Sequence, residues 1–262
     1  MKNRLDKELV RRGLAPSRAK AQELIEGKYV ICKGTIIDKN NYMVDEDEDI
    51  IIKDNDKLRY VSRGGLKLEK AIKDFNLDLT DLVIMDIGSS TGGFSDCALQ
   101  HGAKKIIAID VGTDLLHESL RNDKRIELYE KTNFKELPSK FFKNIDLFVC
   151  DVSFISLKHI IDKIASEKVK AEIVCLIKPQ FECGKEIATK YKGVILNKEI
   201  HKKIIDDLNE YFNNQGFKML NLTISPIKGG DGNIEYLTYL SNTREEKKKI
   251  GFEEIIDKAF KN

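Results

Sequence analysis

Five strand-like runs between residues 83 and 178, most of them near-continuously apolar, constrain this chain more than any other feature. They fall at 83–87, 105–110, 126–131, 145–151 and 172–178, and the segments between and after them have helical spacing near 93–101, 114–121 and 156–166. Strands that are apolar on both faces have to be covered on both faces. The alternation therefore predicts a parallel sheet with helices on either side. After a further helix near 197–214 the rhythm breaks: strands at 219–225 and 234–241 are joined by only Pro226-Ile227-Lys228-Gly229-Gly230-Asp231-Gly232-Asn233. That connection is too short for a crossover helix, so the two strands have to pair antiparallel. In the last stretch, 244–262, Phe252, Ile255, Ile256, Ala259 and Phe260 have the spacing of a docked helix.

The first run leads into a turn that narrows what the sheet can bind. Val83-Ile84-Met85-Asp86-Ile87-Gly88-Ser89-Ser90-Thr91-Gly92-Gly93-Phe94 passes from strand through small residues into a helix. Such a turn lets a ligand approach bare backbone N–H groups, or serves only as a tight connection. A dinucleotide fingerprint requires G-x-G-x-x-G and a phosphate loop requires G-K-[ST]; this turn reads G-x-x-x-G-G with no following Lys. A sulfonium cofactor has no phosphates and needs close backbone approach plus carboxylates. Asp86, Gly88, Ser89, Ser90, Gly92, Gly93 and Phe94 are accordingly candidates to hold S-adenosylmethionine. Asp110 ends the next strand, followed by Val111, where an acidic residue grips a ribose diol or caps a helix before Leu115. Asn133 has the adenine edge or a plain turn as its alternatives.

The segment before the sheet is different in kind. Residues 4–12 suit a short helix ending at Gly13, and a second helix follows Pro16 with Ser17 as N-cap, Ala21, Leu24 and Ile25 as its buried stripe and Gly27 as its stop. Short strands are expected at 29–33, 36–37, 43–44 and 50–52, with the acidic stretch 45–49 as a solvated turn. Net charge is +2 over the whole chain, yet residues 1–39 hold ten basic and five acidic residues, which leaves that segment at +5. The chain opens on charged residues, and no run approaches the roughly 20 apolar residues of a membrane span. Cys32, Cys97, Cys150, Cys175 and Cys183 stand singly, without a C-x-x-C pair. That argues for reduced thiols in a cytoplasm and against a structural zinc site.

Arg4-Leu5-Asp6, Leu9, Ser17-Arg18, Ala21, Gly27, Val30 and Gly34 resemble the S4 RNA-binding module. The resemblance implies RNA contacts by Arg4, Arg11, Arg12, Arg18, Lys20 and Lys28, through phosphate neutralisation and shape; a solvated basic face is the alternative for each. The sequence as a whole resembles the TlyA, or hemolysin A-type, family of ribosomal RNA 2′-O-methyltransferases. It does so through Val61-Ser62-Arg63-Gly64-Gly65-Leu66-Lys67-Leu68, the glycine turn, Asp151-Val152-Ser153-Phe154-Ile155-Ser156, Lys178-Pro179-Gln180-Phe181-Glu182 and Gly229-Gly230-Asp231-Gly232-Asn233-Ile234-Glu235-Tyr236. One departure is Tyr60, where the family pattern has Trp. The resemblance implies an α/β, Rossmann-like class I methyltransferase with a mostly parallel seven-stranded sheet, preceded by a small α+β S4-like domain. Expected boundaries are 1–58 for that domain, 59–65 for a linker that carries a further RNA contact in Arg63, and 66–262 for catalysis.

Matched motif by motif, the resemblance implies a catalytic set of Lys67, Asp151, Lys178 and Glu235. Chemistry agrees with that choice. A ribose hydroxyl is a poor nucleophile near neutral pH, and methyl transfer needs a base or a strong orienting partner plus in-line placement. Lys178 is the candidate for that role, with Asp151 and Glu235 orienting it and balancing charge. Asp151 and Lys178 each end an apolar strand, where open sheets bind ligands, although a simple buried ion pair is the plainer account. Lys67 otherwise reads as an ordinary helix-start charge, and Glu235 as an edge-strand charge. Phe154 and Phe181 line a base pocket or only pack. The implied partner is ribosomal RNA or a ribosomal subunit; the competing reading is an RNA-binding assembly factor with a degenerate methyltransferase domain.

Overall fold

The computed structural model describes residues 2–15, 17–53, 59–245 and 250–261; Pro16 and Leu58, which figure in the expected helix start and linker, lie outside the described residues. The chain divides into two units, Met1–Tyr60 and Val61–Asn262.

In the first unit, β1 (Lys2–Arg4) leads directly into α1 (Leu5–Arg11), and α2 (Arg18–Glu26), β2 (Val30–Cys32), β3 (Thr35–Ile37), β4 (Met43–Asp45) and β5 (Ile50–Ile52) follow. Strand β2 lies between β3 and β5 in an antiparallel sheet, and β1 pairs with β4. The first strand departs from the expected 4–12 helix: pairing with residues 43–45 satisfies the backbone of Lys2 to Arg4 and leaves the helix to begin at Leu5. Ser17 caps α2 by accepting from the Lys20 backbone N–H at 3.2 Å. Leu5, Leu9, Ala21, Leu24, Ile25, Val30 and Val44 are fully buried and form the core. The 45–49 stretch is not wholly solvated. Glu48 is buried, accepts from the Asp45 backbone N–H at 3.3 Å and pairs with Lys33 at 3.1 Å, because the tight turn folds its carboxylate back onto an orphan donor.

The second unit runs α3 (Gly64–Phe75), β6 (Val83–Ile87), α4 (Gly93–Gln100), β7 (Lys105–Ile109), α5 (Glu118–Arg121), β8 (Ile126–Tyr129), β9 (Leu147–Cys150), α6 (Leu157–Ser166), β10 (Glu172–Ile177), α7 (Pro179–Glu182), α8 (Gly184–Lys190), α9 (Lys198–Asn214), β11 (Lys218–Ile224), β12 (Tyr236–Ser241) and α10 (Phe252–Lys261). Its seven strands are ordered β11-β12-β10-β9-β6-β7-β8. The five from β6 to β10 are mutually parallel, and β12 inserts antiparallel between β10 and β11. Chain connections leave β6 toward β7 on one side, while β9 lies on the other. The carboxyl ends of β6 and β9 thus flank the crevice where sheets of this kind bind ligands.

Buried side chains at Phe142, Phe148, Ile161, Ile177, Phe212 and Tyr236 fill the space beneath the helices. Helix α9 buries His201, Ile204, Ile205, Leu208 and Phe212, an i, i+3, i+4, i+7 stripe. His201 is a satisfied core residue: its ring nitrogens lie 2.9 Å from the Tyr236 hydroxyl and 2.7 Å from the Ile195 carbonyl, and burial lowers its pKa. All five cysteines are free thiols, and among the described residues no cluster suits a metal ion. No described helix is long and apolar enough to cross a membrane. One further local expectation fails. The 114–121 helix shrinks to one turn, since Asp114 takes a left-handed φ of 56° and donates its N–H to Glu130, while His117 donates its own to the Thr91 carbonyl. Helices α7 and α8, where no element is expected, give no apolar periodicity: α7 buries only Pro179 and α8 buries no side chain.

Candidate active site

The glycine turn after β6 is shaped by what it cannot accommodate. Gly88 has a φ of 77°, and a Cβ there would come 3.0 Å from Val152 Cγ1; Gly92, at φ 91°, would put one against Leu120 and 2.7 Å from Leu116 Cδ1. Both positions demand glycine. Asp86 is buried just before the turn and accepts from Ser95 Oγ at 2.6 Å. Burial, reinforced by repulsion from Asp151 and Asp110, raises its pKa to about 7 against the opposing Ser95 hydrogen bond. Asp86 Oδ1 and Ser89 Oγ are buried with no hydrogen-bond partner among the described residues. Buried polar atoms left in that condition are costly unless a ligand completes them.

Asp110, at the end of β7, accepts from the Ser90 and Gly112 backbone N–H groups at 2.7 Å each. It therefore ties its own loop to the glycine turn and does not cap a helix. Lone pairs remain on both oxygens for a ribose hydroxyl. Val111 beside it is 72% exposed, and Phe94 is buried behind the turn. Asn133 bonds locally instead. It accepts from the Lys135 N–H at 3.1 Å and donates to Glu136 at 2.8 Å, capping a short 3-10 turn.

On the other side of the crevice, glycines again decide the geometry. A Cβ on Gly93 would strike Ser62 Oγ and approach the Gly65 backbone N at 2.8 Å, so the starts of α3 and α4 touch through bare backbone. That contact delivers Lys67, in the first turns of α3, to the crevice. Lys67 Nζ lies 3.1 Å from Asp151 Oδ2 and 3.0 Å from Glu235 Oε2. Lys178 Nζ, at the end of β10, lies 2.6 Å from the other Asp151 oxygen and 2.9 Å from Ser153 Oγ. Gln180 Nε2 donates to Glu235 Oε1 at 3.1 Å. Two ammonium and two carboxylate groups are thus linked in one chain. Burial alone would lower the Lys67 pKa, but Asp151 and Glu235 more than offset it and raise it. Burial would likewise raise Asp151, and the two lysines instead hold it low.

Three neighbours of this chain of charges, Ser153, Gln180 and Glu182, had no signal beyond their place in the quoted motifs. Glu182 accepts from Ser156 Oγ at 2.6 Å and from the Leu157 N–H at 2.7 Å, tying α7 to the start of α6 and bracing the 151–156 loop. Burial raises its pKa. That loop presents Phe154 at a left-handed φ of 64° and 91% exposure, its ring 5.0 Å from Phe181. An aromatic held there is neither packed nor relaxed, and such outliers gather at functional sites.

The basic residues of the first unit fall into two groups. Arg4 and Arg18 both grip the buried Asp6, and Arg11 and Arg12 both grip the buried Glu8. Arg12 also donates to the Asp45, Glu46 and Glu48 carbonyls, so its guanidinium is spent inside the unit. The Arg11 and Arg18 side chains keep half their surface exposed, whereas Lys20 is mostly covered and pairs with Glu23 at 3.2 Å. Lys28 is exposed at a φ of 63°, and Arg63, in the second unit, is exposed ahead of α3.

Residues 60–242 match the FtsJ-like methyltransferase family, and residues 3–50 match the S4 domain. The chain belongs to the FtsJ-like methyltransferase family. It is similar to a candidate rRNA methyltransferase, YqxC, of Bacillus subtilis, at 44% identity over 91% of this chain and 85% of the relative. It is also similar to the 16S/23S rRNA (cytidine-2′-O)-methyltransferase TlyA of Mycobacterium tuberculosis, at 34% identity over 98% and 97%. A solved structure of a hemolysin candidate from Streptococcus thermophilus superposes with a TM-score of 0.75 at 38% identity, covering 99% of this chain and 96% of that one. This FtsJ-like methyltransferase takes S-adenosylmethionine as its methyl donor. Its crevice fits that group: the orphaned Asp86 and Ser89 oxygens, the acidic Asp110 and a turn of glycines and small residues suit a cation with a ribose and no phosphates.

Proposed function

We propose that this chain methylates a ribose 2′-hydroxyl of ribosomal RNA, on a cytidine as in the M. tuberculosis relative. The observation that carries the proposal is the linked set Lys67, Asp151, Lys178 and Glu235 beside the cofactor turn. When bound, S-adenosylmethionine supplies an electrophilic methyl group on sulfur. Lys178 Nζ faces the acceptor hydroxyl and, once it has given up its own proton, accepts the hydroxyl proton as the oxygen bonds the methyl carbon and the carbon–sulfur bond breaks; Asp151 holds Lys178 in place, and Lys67, kept protonated by two carboxylates, prevents Asp151 and Glu235 from repelling each other. Asp86, Gly88, Ser89, Ser90, Gly92, Gly93, Phe94, Asp110 and Val111 hold the donor, with Asn133 in a capping role nearby.

Residues 1–58 serve RNA binding, 59–65 connect, and 66–262 carry out the chemistry. Arg4, Arg11, Arg18, Lys28 and Arg63 meet the phosphate backbone, with Arg12 and Lys20 stiffening the surface behind them. The reaction takes place in the cytoplasm, where ribosomal subunits are assembled. The test is incubation of purified ribosomal subunits with radiolabelled donor and then alkaline hydrolysis. Label is expected in alkali-resistant dinucleotides, since a methylated 2′-oxygen cannot attack the neighbouring phosphate; label in a base, or none, overturns the reading.

Phe154 extends the proposal to the base. Its exposed ring beside Phe181 offers a stacking platform for a nucleotide turned out of its helix. Phe154→Ala is expected to slow transfer about 10- to 100-fold, as the loss of one base–aromatic stack implies. Melting temperature and cofactor affinity should be unchanged, because the ring covers almost nothing in the free protein. Unaltered turnover in that variant removes Phe154 from the acceptor site.

A further inference from the structure

Glu235 stands one residue before β12 with its carboxylate 3% exposed. Lys67 holds one of its oxygens and Gln180 the other, and the amide has to present its NH2 group there because a carboxylate paired with a lysine offers only acceptors. The third wall is backbone. A methyl group on Gly229 would collide with Glu235 Oε1 and lie 2.8 Å from Glu235 Cδ. Gly229 does not sit at a positive φ, so glycine is not required there for its conformation. What matters is the space.

The loop that carries Gly229 has little freedom to retreat. The Gly229 N–H donates to the Asn233 carbonyl at 2.8 Å and the Gly232 N–H to the Gly229 carbonyl at 3.2 Å. The Asn233 side chain is itself bonded to the Ile195 N–H and the Gly193 carbonyl at 2.9 Å each. The Ser225 N–H donates to the Glu235 carbonyl at 2.9 Å, fixing the backbone from which the carboxylate extends. A side chain at 229 therefore displaces the flexible end of Glu235 and leaves the fold in place. We propose that Gly229 and Gln180 are positioning residues of the methyl-transfer reaction: Gln180 by donating to the Glu235 carboxylate, and Gly229 by leaving room for it, together aim it at Lys67. This rests on the 2′-O-methylation reading only in taking Glu235 as part of the reacting set.

The experiment compares wild type, Gly229→Ala and Gln180→Ala in the full chain. Gly229→Ala is expected to lower kcat by about tenfold or more, the scale of a misplacement near one ångström. Melting temperature and the affinity for S-adenosylmethionine should stay at wild-type values, and a crystal structure of the variant should show the Glu235 carboxylate moved off Lys67. Gln180→Ala, which removes one donor and adds no bulk, should show the same pattern with a smaller fall in kcat. An unmoved Glu235 in Gly229→Ala, full kcat in both variants, or a loss of kcat matched by losses of melting temperature and cofactor affinity overturns the proposal. If wild type transfers no methyl to ribosomal RNA, the substrate reading fails, and the Glu235 position in Gly229→Ala still decides this one.

Discussion

Lys178→Ala is expected to reduce methyl transfer to ribosomal RNA by about a hundredfold to ten-thousandfold, the usual contribution of a positioned proton-transfer group. Cofactor affinity should stay within about twofold of wild type, since Lys178 contacts Asp151 and Ser153 and no residue of the glycine turn. The fold should survive, because Lys67 remains as a counter-charge for Asp151. Lys178→Arg separates the two roles a lysine can play here. A guanidinium keeps the charge and can orient a hydroxyl, but it does not release a proton near neutral pH. Recovery of activity in Lys178→Arg would show that charge and placement suffice; an inactive arginine variant assigns the proton to Lys178 Nζ. Single-turnover assays with labelled donor, together with calorimetric titration of the donor alone, give both quantities. Normal turnover in Lys178→Ala would remove Lys178 from the reaction.

Asp86→Asn should pull stability and function in opposite directions. Burial pushes the Asp86 carboxyl up to about 7, whereas an unfolded chain ionises it near pH 4. Between those two values the folded protein keeps a proton that the unfolded chain has released. Its stability therefore falls as pH rises through this window, by roughly 4 kcal/mol in all, and the dependence ends once both states are ionised. Asparagine keeps an acceptor for Ser95 Oγ and carries no charge. The ligand-free variant should melt higher than wild type at pH 8, and the difference should vanish near pH 4. Binding should change the other way. Wild-type affinity for the cationic cofactor should rise from pH 6 to pH 8 as the carboxylate forms, while Asp86→Asn binds about tenfold or more weakly and without that rise. Thermal melts and titrations at several pH values measure both. A flat difference in melting temperature across pH would show that Asp86 is already ionised in the free protein.

Local pattern made much of this architecture legible. Strands β6 to β10 fall within two residues of the expected runs, because strands covered on both faces are nearly continuous in apolar residues, whereas the sheet-edge strand β8, Ile-Glu-Leu-Tyr, alternates. The antiparallel pair β11–β12 followed from the shortness of its connection, a limit set by chain geometry alone. Ser17 and Gly27 marked the ends of α2 for equally local reasons. Where backbone demand came from elsewhere in the chain, local pattern failed. Residues 2–4 form a strand because residues 43–45 lie ready to pair, and 114–117 leave the helix because Glu130 and Thr91 claim their N–H groups. Arg12 looked like its basic neighbours until the turn after β4 brought three carbonyls within its reach.

The sequence by itself determined the layered sheet, the S4-like unit before it, the kind of cofactor the glycine turn admits, and, through family motifs, four charged residues to watch. Tertiary structure alone decided that those four form one linked chain. Lys67 meets Asp151 across 84 positions and Glu235 across 168, and no periodicity in a chain records which distant side chains will share a crevice. It also decided what Gly229 and Gly93 are for. An absent side chain leaves no pattern of its own, and its meaning appears only when the atoms that occupy its place, the Glu235 carboxylate and the start of α3, are in view.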